Sequence, residues 1–314
     1  MDTPSNFTTQ IPLDLAGKRL DQALSQLFPE YSRNRIQDWI RDGAVTVEGL
    51  TSEPKRKVFG GEAIVLTPTF EPVTEVAPEA IPLTVVYEDE AILIVDKPQG
   101  LVVHPAAGHH DGTLQNALLH FAPELDKVPR SGIVHRIDKD TSGLLMVART
   151  VEAHKVLVEQ LQAHTVHRQY LALIQGTLTG GGTVDLPIGR HGSDRKRFAV
   201  HRDGKPAVTH YRIEERFQGH TLVQVNLETG RTHQIRVHMS HIGHPLVGDP
   251  VYGGRARLPQ GASASLISAL QNFKRQALHA ASLGIDHPVS GEYMEWDSPI
   301  PEDFEALLAT LREG

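Results

Sequence analysis

The sequence contains no cysteine among its 314 residues, and this absence narrows the chemistry open to the chain. Without thiols it cannot form disulfides, and it cannot hold zinc through thiolates. It also lacks an apolar run long enough to cross a bilayer. The first residues, MDTPSNFTTQIPLDLAG, combine neither a basic start nor a continuous apolar stretch. We therefore expect a cytoplasmic protein that does not contact membranes.

An excess of positive charge is missing as well. Lysine and arginine together number 31 against 38 aspartates and glutamates, which gives a formal net charge of -7. A protein that coats nucleic acid indiscriminately would carry the opposite sign, so any RNA or DNA contact must come from local basic patches. Hydrophobic residues make up 39% and charged residues 22%, which is typical of a globular protein with a large core.

A proline-rich and acidic stretch divides the chain into two parts. Residues 67–82 contain four prolines and three glutamates. This composition has too much proline for a helix and too much negative charge for RNA. We therefore predict an interdomain linker over 67–82, a small domain over 13–66 and a large domain over 83–314.

The small domain shows the pattern of two short helices followed by strands. Apolar residues recur at helical spacing around Leu24 and again around Ile40, and β-prone runs follow at 45–47 and 63–66. Ser32 is a predicted N-cap of the second helix, which places Arg33 and Arg35 on its first turn. Cations there oppose the helix dipole, so they serve either an RNA contact or a solvated surface.

The large domain alternates β-prone runs with a few helical patterns, which predicts an α+β fold built on a mixed, mostly antiparallel sheet. Residues 221–227 show the period of two that is typical of an antiparallel strand. Other strands are predicted at 92–95, 101–103, 144–148 and 170–174. Helices are predicted at 113–120, 151–163 and 232–242.

The segment HRIDKDTSGLL, residues 135–145, combines a cation, a carboxylate and hydroxyl residues between two apolar runs. Strands on either side would hold this loop and aim its side chains. Asp138 is therefore the candidate catalytic residue. An ordinary polar turn, in which the aspartate caps a neighbouring amide, is the alternative interpretation.

Three further segments supply candidate partners for Asp138. Lys97 and His104 flank a turn, Tyr170 lies on an apolar strand, and Arg231 precedes a helix that carries Ile235 on its buried side. A buried aspartate needs a cation to stay charged, and Arg231 is placed to supply it. Turn chemistry and simple core packing are the alternative explanations for the first two segments.

A local basic patch lies between 190 and 205, where six cations face two carboxylates; Arg195, Lys196 and Arg197 form its centre. Such an excess inside an acidic protein is what neutralisation of phosphates requires, although a solvated loop has the same composition. His238 and His241 share a helical face and would be candidate metal ligands, but no HExxH pattern accompanies them. We expect no metal site.

Two sets of motifs resemble known families. The segments GKRLDQAL and YSRNRIQDWIRDGAVTVEG resemble the small RNA-binding module named after ribosomal protein S-four. The segments DKPQGLVVHP, HRIDKDTSGLL, GRTHQIRVH and HAASLGIDHPVSGE together resemble the RluA-type pseudouridine synthases, over nearly the whole chain. One departure is Ile137, where the family usually has leucine; an apolar swap of equal size should leave the site intact.

The resemblance implies that the chain isomerises uridine within RNA without a cofactor. The bond from ribose C1′ to uracil N1 is cut, the base turns, and a bond forms to C5. Asp138 then matches the catalytic aspartate and Arg231 the arginine that pairs with it. Tyr170 matches the aromatic residue that stacks on the target base, with Ile235 packing opposite, and Arg136 matches the residue that enters the RNA stack. The sequence leaves open whether Asp138 attacks C1′, attacks C6 or removes a proton.

The resemblance also implies a substrate, namely the loop of helix 69 in bacterial 23S rRNA, either free or within the assembling large subunit (pre-50S). Other large-subunit uridines are the nearest alternative. RNA contacts are expected from Arg33, Arg35, Lys97, His104 and the loop 195–197, and we expect a monomer. Two further hypotheses stay open, a ribosome-assembly factor that binds RNA without chemistry and a histidine-bound metallohydrolase.

Overall fold

The structure is a computed structural model that describes residues 7–29, 31, 33–67, 76–105, 111–194 and 197–313. The chain divides into two compact units, Met1–Glu75 and Val76–Gly314. No helix within the described ranges is long and apolar enough to cross a membrane.

The N-terminal unit packs two helices against a four-stranded sheet in the order β1-β4-β2-β3. Its elements are β1 Phe7–Gln10, α1 Leu20–Leu27, α2 Arg33–Arg41, β2 Val45–Val47, β3 Leu50–Thr51 and β4 Ala63–Leu66, with a short 3-10 helix at Leu13–Leu15. The two predicted strands have the bounds expected from the sequence. The unit starts earlier than residue 13, however, because β1 pairs with β4 along its whole length.

The core of this unit is formed by the apolar stripes of both helices. Leu20 and Leu24 of α1 meet Ile36 and Ile40 of α2, and all four are almost fully buried. Asp21 is also buried, and it stays compatible with this core because Arg19 and Arg33 donate hydrogen bonds to its carboxylate. The two helices are thereby joined by an ion pair as well as by apolar packing.

The C-terminal unit is built on a nine-stranded sheet in the order β5-β6-β7-β14-β8-β13-β12-β9, with β15 paired to β14. Its larger strands and helices are β5 Thr84–Glu88, β6 Ile92–Lys97, α3 Leu114–Phe121, β7 Ser142–Ala148, α4 Val151–Ala163, β8 His167–Gln175, β12 Val208–Phe217, β13 His220–Leu227, α5 Gln234–His241, α6 Ala264–Asn272, β14 Leu278–Asp286, β15 Tyr293–Asp297 and α7 Glu302–Glu313. The smaller elements are β9 Gly182–Asp185, the hairpin β10 Ile188–Arg190 and β11 Phe198–Val200, and 3-10 turns at Pro123–Lys127 and Pro129–Gly132.

The strand β7 occupies the middle of this sheet, and all seven of its residues are buried. It pairs antiparallel with β6 and parallel with β14, whereas the other strand pairs of this sheet are antiparallel. A strand buried on both faces reads as a continuous apolar run rather than an alternation, which explains the run that follows Gly143. The predicted α+β class with a mixed, mostly antiparallel sheet is confirmed.

Most predicted elements are present, and the exceptions have local causes. The helix at 151–163 has the predicted bounds, and the helix predicted at 113–120 begins one residue later because Thr113 caps it. The strand predicted at 101–103 is absent, since only Val102 forms an isolated bridge there. The helix predicted to begin at Thr232 begins at Gln234, because His233 adopts a left-handed conformation at its N-cap.

Gly143 allows β7 and β14 to approach each other. Its φ is +111°, and a Cβ there would lie 2.2 Å from the carbonyl oxygen of Ala280 on β14.

We predict that Gly143→Ala lowers the free energy of unfolding by about 3 kcal/mol or more, since it combines backbone strain with overpacking. Urea unfolding measures this. Gly291→Ala is the control, because its φ is also positive but no atom lies within 4 Å of the added Cβ; an equal loss in both variants would contradict the role of close approach.

The helix α7 is joined by an ion pair to the segment between α6 and β14. Arg275 donates to both carboxylate oxygens of Asp303, at 2.7 and 2.8 Å. Partial burial raises the pKa of Asp303, but the Arg275 hydrogen bonds and charge outweigh it, so the pKa of the carboxyl lies below 3.8. A lowered folded-state pKa contributes stability above the unfolded-state value, and this stability is lost as pH falls through the folded-state value.

We predict that Asp303→Asn destabilises the protein by about 1 kcal/mol at pH 7. The difference from wild type should shrink as pH falls below 3.8, because the wild-type carboxyl then becomes protonated as well. Urea unfolding at several pH values measures this dependence. Glu302→Gln, an exposed neighbour, serves as the control. A difference that stays constant into acid would contradict the ionic contribution.

Candidate active site

Asp138 lies in the loop 134–141, which connects a bridge at Ile133 to the start of β7. The backbone of this loop is fixed by hydrogen bonds. Thr141 N–H donates to the carbonyl oxygen of Asp138 at 3.1 Å, and Gly100 N–H donates to that of Lys139 at 2.9 Å. The Asp138 side chain is 17% exposed, so it is largely desolvated but accessible.

Lys97 holds the backbone of this loop through hydrogen bonds. Its side chain is fully buried, and its Nζ donates to the carbonyl oxygens of Pro98, Leu101 and Lys139 at 2.7, 2.9 and 3.0 Å. Burial lowers the pKa of Lys97 to about 7, although the nearby charge of Asp138 opposes that shift. The prediction that Lys97 contacts RNA is wrong, because all three donors of its ammonium group are used inside the protein.

The Asp138 carboxylate is paired with Arg236. Arg236 Nη1 donates to Asp138 Oδ2 at 2.8 Å, while its Nε and Nη2 donate to the two carboxylate oxygens of Asp249 at 2.7 and 2.9 Å. The pKa of Arg236 is raised, because these two carboxylates outweigh its burial. Burial raises the pKa of Asp249, but hydrogen bonds from Arg236 outweigh this effect and lower it overall. The guanidinium is therefore held rigidly by one aspartate while it binds the other.

The prediction that Arg231 pairs with Asp138 is wrong. Arg231 lies in the turn before α5, and its Nε donates to the carbonyl oxygen of Pro206 at 3.0 Å. Arg236 is the third residue of α5, and its side chain reaches Asp138 in the loop 134–141. The segment GRTHQIRVH does supply the arginine that pairs with Asp138, but that arginine is Arg236 and not Arg231. The residue at which α5 begins decides which side chain of the segment points toward Asp138.

A sequence signal for Arg236 does exist. It lies between Ile235 and Val237 on a helix whose residues 234–239 are all buried. A cation in such a segment must have a buried carboxylate partner. Asp249, in the segment GHPLVGDPVYG, was available as that partner.

The Asp138 carboxylate faces a pocket formed by the loop 134–141, β8, and the start of α5. Of the candidate site residues, its lining includes Arg136, Asp138, Tyr170, Arg231 and Ile235. These five were selected from three separate motifs, and the fold brings them together. Arg136 is exposed at the rim, so its side chain is available to a ligand.

Tyr170 and Ile235 supply apolar wall to this pocket. They are 7% and 4% exposed. Burial raises the pKa of Tyr170, so its phenol stays neutral at physiological pH. A neutral ring next to a branched aliphatic side chain is a surface on which a flat base can stack.

A groove of about 950 Å³ continues from the pocket and shares Arg136, Arg168 and Arg231 with it. Arg130, His104 and His164 add to its walls. The described residues that line the groove include no aspartate or glutamate. His104 also contacts Gln115 through Nδ1 at 3.3 Å, and burial lowers the pKa of its imidazole.

Arg168 is a site residue that the sequence analysis did not select. It is 7% exposed, and its Nη2 donates to the carbonyl oxygen of Glu228 at 2.9 Å. Burial lowers its pKa, and its Nε has no hydrogen-bond partner among the described residues. Its place on the same face of β8 as Tyr170 was the available signal, since residues two apart on a strand point the same way.

The other predicted cations that the structure describes are not among the residues that line this pocket. Arg33 and Arg35 are on α2, where Arg33 binds Asp21 and both side chains are exposed. Arg197 lies next to β11 and stacks on the ring of Tyr252. The predicted contacts of Arg195 and Lys196, and the predicted cap at Ser32, lie outside the described residues.

The histidines of α5 have structural contacts. His238 is fully buried; its Nδ1 and Nε2 lie 2.9 Å from Thr209 Oγ1 and from the carbonyl oxygen of Leu186, respectively. Both ring nitrogens are therefore engaged within the protein. Among the described residues, no three His, Cys, Asp or Glu side chains cluster in a way that could hold a metal ion.

Comparison with known proteins adds independent information. Residues 91–241 match the family model described as RNA pseudouridylate synthase, and residues 18–64 match the S4 domain. A Pseudomonas aeruginosa protein named Ribosomal large subunit pseudouridine synthase D is 58% identical over 304 residues, which covers 97% of this chain and 95% of that one. The protein of that name from Escherichia coli K12 is 56% identical over 307 residues, 98% of this chain and 94% of the relative.

Solved structures agree with this fold. Human RNA Pseudouridylate Synthase Domain Containing 4 aligns with a TM-score of 0.58 at 24% identity, over 73% of this chain and 93% of that one. Human RNA Pseudouridylate Synthase Domain Containing 1 aligns with a TM-score of 0.54 at 25% identity, over 75% and 97%. The first likeness concerns the fold alone, whereas the bacterial relatives are similar along nearly their entire length. This chain therefore belongs to the RluA-type RNA pseudouridylate synthases, a family of isomerases, and carries an N-terminal S4 domain.

Proposed function

We propose that this enzyme converts specific uridines of large-subunit ribosomal RNA to pseudouridine, with Asp138 as the catalytic residue. One observation carries the assignment of Asp138: its carboxylate accepts a hydrogen bond from Arg236 at a pocket walled by Tyr170 and Ile235. The names of the bacterial relatives support the substrate class. The adjoining groove adds cations and, among its described residues, no acidic ones, which suits a phosphate backbone.

The proposed chemistry is a rearrangement in which no atom is gained or lost. The bond between ribose C1′ and uracil N1 breaks, the freed base rotates, C5 bonds to C1′, and C5 loses a proton while N1 gains one. The ionised carboxylate of Asp138 either attacks carbon or takes a proton in this sequence. Since the reaction is redox-neutral, the proposal requires no redox cofactor.

The remaining pocket residues hold the base. Tyr170 stacks on the uracil and Ile235 packs against it, so that the base stays in the pocket while it is detached from the sugar. Arg136, at the exposed rim, enters the RNA stack in place of the target base. Arg231 is assigned to RNA binding rather than to the carboxylate, because it borders both the pocket and the groove.

We propose the loop of helix 69 in 23S rRNA, within free rRNA or an assembling subunit, as the target. Unpaired loop uridines cost less to extrude than paired ones, which favours a loop substrate. Arg33, Arg35, His104 and the basic loop 195–197 are proposed as additional RNA contacts. We also propose that the enzyme acts as a monomer in the cytoplasm, where its bacterial rRNA substrate is made.

A ribosome-assembly factor without catalytic activity is the second candidate. It would use the same cations, but it would have no need for a desolvated carboxylate beside them, because a negative group repels phosphate. The arrangement of Asp138, Arg236 and Asp249 therefore favours the enzyme.

We predict that Asp138→Asn abolishes pseudouridine formation, a loss of at least about 10³-fold, because the amide can neither attack carbon nor take a proton. RNA affinity should stay nearly unchanged or rise slightly, because the amide removes some repulsion of phosphate. Single-turnover assays on rRNA and filter binding measure the two quantities. The control is Asp126→Asn, an exposed carboxylate. Retained turnover in the Asp138 variant would contradict the catalytic assignment.

We predict that the rRNA of a strain lacking this protein loses pseudouridine at loop positions of helix 69 and nowhere else in 23S rRNA. Chemical mapping of pseudouridines before and after deletion measures this. Complementation with the wild-type chain should restore the modification, and complementation with Asp138→Asn should not. Loss at other large-subunit positions would retain the enzyme but contradict the proposed target.

A further inference from the structure

Tyr252, in the segment after Asp249, lies at the junction between the active site and the hairpin β10–β11. It is 8% exposed. Its hydroxyl oxygen accepts a hydrogen bond from the Phe198 N–H of β11 at 2.9 Å, and it lies 2.9 Å from Nδ1 of His233. One hydroxyl group therefore joins the hairpin to the residue that begins the active-site helix.

The ring of Tyr252 makes a second set of contacts. The guanidinium carbon of Arg236 lies 5.1 Å from the ring centroid, and that of Arg197, next to β11, lies 5.5 Å from it. Contacts of this geometry attract a cation to the ring. Tyr252 N–H also donates to Asp249 Oδ1 at 3.0 Å. The same side chain thus touches the arginine that binds Asp138 and a cation of the basic loop.

His233 is a second neighbour of the Asp138 carboxylate. Its Nε2 lies 3.9 Å from Asp138 Oδ1, while Arg236 binds the other oxygen. Its φ is +57°, a conformation that costs energy for a residue with a side chain and that tends to be retained where a function requires it. Phe198 also packs edge-on against the imidazole, with the ring centroids 5.7 Å apart.

The contact with Tyr252 suits one tautomer of His233, in which the Tyr252 hydroxyl donates to Nδ1. Because the Tyr252 oxygen already accepts from Phe198 N–H, its own proton is available to Nδ1 of His233. A neutral imidazole that accepts at Nδ1 carries its proton on Nε2, which then faces Asp138. Burial lowers the pKa of His233, which favours the neutral ring.

We propose that Tyr252 is a positioning residue: it fixes Arg236 and His233 around the Asp138 carboxylate and links that arrangement to the basic hairpin β10–β11, which contacts the RNA backbone. This inference rests on the proposed function. RNA phosphates that bind the cations of the hairpin would then stabilise the arrangement of Asp138 that reacts. Binding energy gained away from the reacting base is in this way used to orient the carboxylate.

A purely structural role for Tyr252 makes a different prediction. Its ring belongs to a small apolar cluster with Ile188, Ala207 and Val237. Phenylalanine would fill the same space, so packing alone would leave Tyr252→Phe active. Only the hydroxyl distinguishes the two residues, and the hydroxyl is the group that contacts Nδ1 of His233 and the N–H of Phe198.

The first test is Tyr252→Phe, assayed on whichever RNA the wild-type enzyme modifies. The single-turnover rate at saturating RNA should fall about 10- to 100-fold, as expected when a reacting group is misoriented, while the RNA dissociation constant stays close to that of wild type. The control is Tyr87→Phe, which removes a hydroxyl bonded to Asp89 on the far side of the same unit. A wild-type rate in Tyr252→Phe would overturn the proposal, and a parallel loss in the control would do so as well.

The second test is a double-mutant cycle with His233→Asn. If Tyr252 acts through His233, adding Tyr252→Phe to His233→Asn should cost little further rate, whereas independent residues would give additive losses and contradict the link.

Arg197→Gln should lower the rate at saturating RNA as well as the affinity. A loss of affinity alone would overturn the connection with the hairpin. An inactive wild-type enzyme on rRNA would instead refute the proposed substrate, which keeps the two failures distinct.

Discussion

The active site depends on one shared guanidinium. Arg236 binds the fully buried carboxylate of Asp249 with two of its nitrogens and the accessible carboxylate of Asp138 with the third. Hydrogen bonds from Arg236 hold the pKa of the buried Asp249 carboxyl below its usual range, although burial alone would raise it. Because the bidentate contact fixes the plane of the guanidinium, it also fixes the direction from which Asp138 is held. The position of the Asp138 carboxylate therefore depends on the buried pair of Arg236 and Asp249.

The sheet supplies the rest of the geometry. The loop 134–141 leads into β7, and packing on both faces of β7 holds the end of the loop in place. Lys97, at the end of β6, donates a hydrogen bond to the carbonyl oxygen of Lys139, next to Asp138. Burying a lysine costs free energy, and here three hydrogen bonds to carbonyl oxygens offset part of that cost. The strand β6 thus ends and β7 begins beside the loop 134–141, so the Asp138 carboxylate is presented by rigid elements.

Two surfaces adjoin the pocket: a groove lined by cations and the hairpin β10–β11. The groove concentrates arginines and histidines in a protein of net charge -7, so attraction for RNA is local rather than general. The hairpin β10–β11 carries more cations and is bonded through Tyr252 to both partners of Asp138. A single tyrosine hydroxyl therefore lies between the place where backbone phosphates are proposed to bind and the place where the base is proposed to react.

The sequence alone determined the family and the fold class, and it selected Asp138, Tyr170 and Ile235, which line one pocket in the fold, because motifs and periodicity are local properties. It did not determine which arginine pairs with Asp138, nor that Lys97 is buried and that Arg168 faces the pocket. Those facts depend on where α5 begins and which way each side chain points, and a shift of two residues at a helix start rotates every later side chain by about half a turn. Only the packed tertiary structure fixes that rotation, since contacts between residues about a hundred positions apart decide it.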